Sequence, residues 1–430
     1  MIAIVGGGIT GLTLGRELDR LGLDHVILEA RSRPGGVIRS REVEGRILDW
    51  GPQRARLTHG IVELIDDLGL RDEMVEAPDD LDLFVYRRGE LVRVPFNGPD
   101  FLRSDLVSWR AKARLLLEPF TAGPDPRERV ADYFRRKIGD ELYETLVAPL
   151  YGGLYASDPQ DMRMGLSLIH VLRTFGIRRS LLVPLLLRGG KIDPPPACNF
   201  RNGMATLPRA LARAAGDRLR LETPVRRLLR QGSSWRLELD GGALEARQVV
   251  VTTPAPVAAR LLQPVAPTVS ERVGRLRYNP LAVVHLHAET ELRGLGFQVA
   301  FTEDTPLRGV TYNDSLFDRR NLYTAYLGGS RHPGVADMEP EALKELAVRE
   351  FRRCTGYDAR PLALEHERMP AWDVSWEALS RGIDLPEHLH LATNWWSRPG
   401  LPGRLAEAKM TARRLAAARD RRPVAMARAG

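Results

Sequence analysis

Three glycines near the amino terminus, Gly6, Gly8 and Gly11, stand in the spacing G-x-G-x-x-G, and Glu29 follows the last of them by 18 residues. Glycines so placed leave backbone N–H groups open to a ligand, and the chemistry they suit is pyrophosphate binding. A carboxylate at that distance can accept hydrogen bonds from a ribose 2′-OH, and it would repel the 2′-phosphate of NADP. The blander alternative is a glycine turn with a purely structural role.

The elements that must position these residues can be read on either side of them. Ile2 to Val5 is a short apolar run suited to a strand buried on both faces. Leu12 to Leu21 carries apolar residues at helical spacing, Gly22 stops it, and His25 to Leu28 reads as a second strand. In such a βαβ unit the first glycine makes the tight turn and the second admits the pyrophosphate. The third lets helix and strand pack closely. A further doublet, Gly35-Gly36, follows in "ARSRPGGVIRS", flanked by Arg31, Arg33 and Arg39. A nicotinamide dehydrogenase needs no second doublet so soon after its ribose acid. A flavoprotein does, because the chain there passes along an extended FAD. "LDWGPQRA" then offers a Gly51-Pro52 turn.

The chain has 430 residues, enough for a large core divided into two or three lobes. A net charge of +8 raises the question of nucleic acid or anionic membrane. The arginines are dispersed, however, with no basic block interleaved with aromatics, so nucleic acid is not expected as a partner. Cys198 and Cys354 are too few and too far apart for a zinc motif or a disulfide framework. No metal site and no nucleophilic Ser/His/Asp or Cys/His set is expected. His285 and His287 share a strand face without a third ligand and are read as structural, and Met162 and Met164 as core. With a strand beginning at Ile2 and no long apolar run, a cytoplasmic protein is expected.

Further along, "GIVELIDDLGL" reads as a helix and "LFVYRRGELVRVP" as a hairpin, and Phe101 to Gly190 is helical in pattern. Within that stretch Ser167 to Lys191 mixes leucines with arginines, as core packing, an apolar substrate channel or a peripheral membrane contact would. A strand ends near Val225, a hairpin follows, and Val249 to Val251 is a buried strand before a Thr-Pro break. Alternating strands fill Tyr278 to about Tyr326, and "RLAEAKMTARRLAAARD" is the last helix.

The order of motifs resembles the flavin-containing amine oxidase superfamily over roughly Ile2 to Ala416. "GGGITGL" with "LEARSRPGGVIRS" carries the general likeness. "APLYGGLYASDP" (Ala148 to Pro159), "YNDSLFDRR" (Tyr312 to Arg320) and "YLGGSR" (Tyr326 to Arg331) are similar to the protoporphyrinogen and coproporphyrinogen oxidases within it. The resemblance implies an α/β fold: a Rossmann-type (GR2) FAD-binding domain (1–75, 196–268 and 380–418), a β-rich substrate domain (76–105 and 269–379) and a helical lobe (106–195). A disordered tail would occupy 419–430. It implies FAD held by Gly6, Gly7, Gly8, Thr10, Gly11, Glu29, Ala30, Arg31, Gly36, Val37, Gly51, Pro52, Val225, Asn394 and Leu401. The implied reaction is dehydrogenation of a porphyrinogen by O₂, with no side-chain nucleophile. Thr393, Arg398 and Ala408 stand where the family has glycines beside the flavin, and Trp372 and Trp376 where it is less bulky. Those departures leave open another substrate (an amine, a polyene or a nucleotide sugar, walled by Trp372, Trp376, Trp395 and Trp396) or a non-catalytic role.

Overall fold

The computed structural model describes residues 1–169, 172, 176–187, 195–380, 382–397 and 399–420. A five-stranded parallel sheet runs in the order 219–220, 25–28, 2–5, 248–251, 389–391. The two strands of the βαβ unit, β1 (Ile2–Val5) and β2 (His25–Leu28), are buried along their whole length, as unbroken apolar runs require when both faces are covered. Between them α1 (Ile9–Arg20) starts ahead of its apolar stripe, with Gly8 as N-cap. Leu12, Leu14 and Leu18 pack into one core with Leu405, Ala408 and Ala412 of the last helix (Leu401–Asp420). Residues 421–430, where the tail was expected, lie outside the described residues.

One strand is placed differently from the expectation. Val225 does not end a strand but begins one, Val225–Gln231, in a separate three-stranded antiparallel sheet with Ser234–Leu239 and Gly242–Ala246. The chain leaves the parallel sheet after Arg220 because the next N–H groups donate elsewhere: Glu222 to the Arg31 carbonyl and Thr223 to the Glu29 carbonyl.

A seven-stranded sheet runs in the order 360–370, 278–287, 322–328, 307–312, 296–299, 83–87, 90–93. The hairpin 83–93 turns at Arg88 and Gly89, both at positive φ, the turn that matches strand twist. Period-two alternation gives the sheet two unlike faces. Ala282, Val284, Leu286, Phe297, Val310 and Ala325 pack beneath the helix Pro340–Thr355. The opposite face carries Val283, His285, Gln298, Thr311, Thr324 and Tyr326 and turns toward the parallel-sheet loops and the helix Ala148–Tyr155.

The intervening helices contain a fully buried ion pair, Lys137 with Glu118 at 3.0 Å. Met162 and Met164 are wholly buried, as read from the sequence. In 167–191 the described residues Ser167, Ile169 and Leu172 are buried, and Arg179 donates to the carbonyls of Phe120 and Thr121. Arg173, Arg188 and Lys191 lie outside the described residues. No helix among the described residues is long and apolar enough to cross a membrane.

His285 is completely buried beside Trp50, its Nδ1 3.0 Å from Thr324 Oγ1. Burial first, then the nearby Arg319 and Arg41, push its pKa down to about 3. His390 is pushed down to about 4, again mainly by burial. Both rings therefore stay neutral in the fold while the unfolded chain takes up protons below about pH 6.5. Stability is full above that pH and falls as pH drops toward 4, by about 1.4 kcal/mol per pH unit per group. A melting series from pH 7 to 4 should show this slope and a shallower one for His285→Gln. Equal slopes would remove His285 from the account.

Candidate functional site

The expected cofactor residues converge at the carboxyl end of the parallel sheet, where open α/β folds bind ligands. Gly6 turns at φ +116 and accepts from Thr252 Oγ1 at 2.9 Å, so the loop after 248–251 buttresses the glycine turn. A Cβ at Gly11 would strike the Gly6 carbonyl oxygen, which excludes any side chain there. The first turn of α1 has no side-chain cap and no acidic residue. Its N–H groups and the positive end of its dipole are thus open to an anion.

Glu29 is almost fully buried, and its position is set from both sides. Oε2 accepts the Gly7 N–H at 2.7 Å and Oε1 the Arg31 N–H at 2.9 Å. A carboxylate has about four lone-pair sites, so capacity remains for two ribose hydroxyls. Gly35 N–H donates to the Gly7 carbonyl, and a Cβ on Gly36 would press on Gly8 Cα at 3.3 Å. The two glycine motifs are therefore in contact. Arg31 and Arg33 both donate to the Gly36 carbonyl, Val37 is half exposed beside it, and Gly51 sits where a Cβ would meet the Val37 carbonyl at 2.6 Å. Thr10 is buried in α1, Ala30 and Arg31 are exposed after β2, Pro52 is partly exposed, and Val225 follows Thr223, which is tied to Glu29.

Sequence reasoning missed what holds the Gly51-Pro52 turn. Asp49, wholly buried, accepts from Arg319 at 2.6 Å, Asn199 at 2.8 Å, the Met204 N–H at 2.9 Å and Ser40. Asn313 donates to Gln53 at 3.1 Å. Asn313 and Arg319 both come from "YNDSLFDRR", so that stretch pins the turn from the seven-stranded sheet. The other two stretches also meet. Ser330 N–H donates to the Ala156 carbonyl at 2.8 Å and Ser330 Oγ accepts the Asp158 N–H at 2.8 Å, joining "YLGGSR" to "YASDP". Gly329 is at φ +79 with a Cβ position 2.7 Å from the Ala156 carbonyl, so only glycine makes this joint.

At the other side of the sheet edge, Arg404 from the last helix gathers the preceding loop. It donates to the carbonyls of Thr393 at 3.1 Å, Asn394 at 2.8 Å and Ser397 at 3.2 Å, and burial pushes its pKa down to about 10. Asn394 Oδ1 lies 3.5 Å from the Tyr278 hydroxyl, and Leu401 opens the helix. Of the three positions expected to crowd the flavin, Ala408 packs in the core against α1, and its Cβ has a place there. Thr393 is fully buried with no partner for Oγ1, and Arg398 lies outside the described residues.

The proposed tryptophan wall is not what the fold builds. Trp372 and Trp376 stack on each other at 5.3 Å, Trp376 Nε1 donates to the Trp395 carbonyl, and Trp395 Nε1 donates to the Thr253 carbonyl. All three are core residues, and of the four Trp396 alone is exposed. Among the described residues no cluster of His, Cys, Asp and Glu could hold a metal ion.

The sequence matches the family described as flavin-containing amine oxidoreductase over residues 9–403. The chain belongs to that family. It is an FAD-dependent oxidoreductase, and the open helix terminus, the half-committed Glu29 carboxylate and the paired glycine turns fit that cofactor. This flavin oxidoreductase is 28% identical over 393 residues to protoporphyrinogen oxidase 1, chloroplastic, of Spinacia oleracea, covering 81% of this chain and 70% of that one. It is 25% identical to coproporphyrinogen III oxidase of Bacillus subtilis (strain 168), covering 87% of each. In fold it is similar to a candidate protoporphyrinogen oxidase from Exiguobacterium sp. 255-15 (TM-score 0.80, 22% identity, 97% of this chain and 98% of that one). It is also similar to cyclohexylamine oxidase from Brevibacterium oxydans IH-35A (TM-score 0.70, 19% identity, 98% and 99%).

Glu29→Ala is expected to weaken FAD binding by about 10- to 100-fold, the loss of roughly 1.5–3 kcal/mol for a charge-assisted hydrogen bond. Titration of the flavin-stripped variant with FAD, followed by flavin fluorescence, measures it. An unchanged affinity would place the ribose elsewhere.

Proposed function

We propose that this flavin oxidoreductase dehydrogenates a porphyrinogen, with O₂ as the acceptor. The observation that carries the reading is where the three stretches resembling porphyrinogen oxidases bond: "YLGGSR" joins "YASDP", and "YNDSLFDRR" reaches the residues flanking the Gly51-Pro52 turn. Bound FAD would supply hydride acceptance and passage of the electron pair to O₂, so each hydride and proton leaving the macrocycle is matched by one hydrogen peroxide.

The chain's own contribution is placement and exclusion of water. Gln298, Gly309, Tyr326 and Val283 stand directly opposite one another across four strands and so share a face. Gly309 is required in that row, because a Cβ there would strike the Phe297 carbonyl oxygen of the neighbouring strand. The helix Ala148–Tyr155 lies over it with Gly153 against Gln298, and Leu150 and Leu154 on the same side are exposed. The Tyr326 hydroxyl, pushed up to about 12 by burial, stays protonated and can donate a hydrogen bond. The test is growth of porphyrin fluorescence from coproporphyrinogen or protoporphyrinogen with the FAD-loaded protein. A rate no faster than air oxidation for both would overturn the reading.

Access for a poorly soluble substrate suggests peripheral membrane contact. Leu102, Trp109, Leu116, Leu117 and Phe120 are all more than half exposed, interspersed with the exposed Arg103 and Arg110. Such a surface can insert shallowly while its cations meet anionic headgroups. Co-sedimentation with anionic vesicles at low salt is expected, and its loss in Leu116→Ser/Leu117→Ser/Phe120→Ser. Protein left in the supernatant at low salt would show the patch has another use.

A further inference from the structure

Directly after the Gly51-Pro52-Gln53 turn stands an arginine that the fold leaves uncompensated. Arg54 makes no hydrogen bond and no ion pair among the described residues, and its Nη1 is buried without an acceptor. The nearest acid in the turn, Asp49, is already committed to Arg319, Asn199, Ser40 and the Met204 N–H. The charged neighbour that acts most on Arg54 is a second cation, Arg56, whose Nη1 donates to the Pro195 carbonyl. Burial pushes the Arg54 pKa down and Arg56 pushes it further, while the Tyr326 hydroxyl opposes them.

Arg54 is partly exposed with one guanidinium nitrogen buried and unpaired, and the natural partner of such a cation is a carboxylate arriving with a ligand. Two placements say which ligand. Arg54 follows the turn expected to lie along the cofactor, and the side chain of the adjacent Gln53 accepts from Thr324, which shares a sheet face with Tyr326. Tyr326 belongs to the sheet face assigned above to the substrate. We infer that Arg54 is a specificity-determining residue that anchors a carboxylate of the substrate at the cofactor end of that face. The inference rests on the substrate-face reading for the position of the anion, but not on the anion being carried by a porphyrinogen.

The test uses FAD-loaded wild type, Arg54→Met and Arg54→Lys. Probes are coproporphyrin III against its methyl ester, and decanoate against decanol, with binding read by protein fluorescence. Wild type should prefer each acid over its neutral counterpart by about 10- to 100-fold. Arg54→Met should lose that preference and Arg54→Lys should keep part of it. The ligand-free Arg54→Met protein should melt no lower than wild type, since Arg54 has no hydrogen bond or ion pair among the described residues to lose. A preference for decanoate alone would sustain the anion subsite while overturning the porphyrinogen reading. An acid-to-neutral ratio unchanged in Arg54→Met, or a lower melting temperature for that variant, would overturn the inference.

Discussion

Arg319→Met is expected to lower the free energy of unfolding by about 3–5 kcal/mol, the loss seen when one partner of a buried ion pair is removed. Arg319 Nη1 and Asp49 Oδ2 are 2.6 Å apart with the aspartate side chain wholly inaccessible, so no water can replace the guanidinium. The remaining donors to Asp49 (Ser40, Asn199 and the Met204 N–H) are neutral and leave the charge uncompensated. The consequence extends to function because Asp49 lies two residues before Gly51. Loss of the pair should loosen the turn and release FAD, while Arg319→Lys should keep part of both. Denaturant midpoints and the visible flavin absorbance of the purified proteins measure the two effects. A drop below about 1 kcal/mol, the size of a typical exposed pair, would show that the pair is not what holds the turn.

Gly11→Ala is expected to yield protein without bound flavin. The added methyl group would meet the Gly6 carbonyl oxygen, which is backbone, with Thr252 Oγ1 3.0 Å away on another side. Overpacking costs about 1–3 kcal/mol where side chains can shift, and here the obstacle is the turn that must face the pyrophosphate. The strain therefore falls on cofactor binding as much as on folding. Gly22→Ala is the comparison: a Cβ there meets nothing within 4 Å, and only the left-handed φ of +63 opposes it. It should keep its flavin at a stability cost of about 1 kcal/mol or more. Normal flavin content in Gly11→Ala would mean that the turn can move aside.

The βαβ unit was legible because its determinants are local. Three glycines, a buried strand on each side and an acid at fixed spacing each answer to a constraint acting within thirty residues. The hairpin turn at Arg88-Gly89 and the last helix were legible for the same reason. The motif order, with "GGGITGL" and "LEARSRPGGVIRS", pointed to the superfamily to which the chain belongs, and "APLYGGLYASDP", "YNDSLFDRR" and "YLGGSR" to the porphyrinogen oxidases within it. What those stretches do was not in their sequence. Arg319 reaches across 270 positions to Asp49, and Ser330 meets Asp158 across 172. The first contact exists only once the seven-stranded sheet stands against the strand 46–50, the second only once the segment after the helix 148–155 docks on that sheet.

Burial was the other quantity only the tertiary structure decided. Trp372, Trp376 and Trp395 suit a ligand wall or a core equally well by composition, and their stacking and hydrogen bonds make them core. Val225 could end one strand or begin another until Glu222 and Thr223 were seen to bond back to the segment after β2. Arg54 is one arginine among many along the chain. Its lack of a partner reflects where Asp49, the acid of the same turn, has already gone, and no spacing of residues along one chain records that.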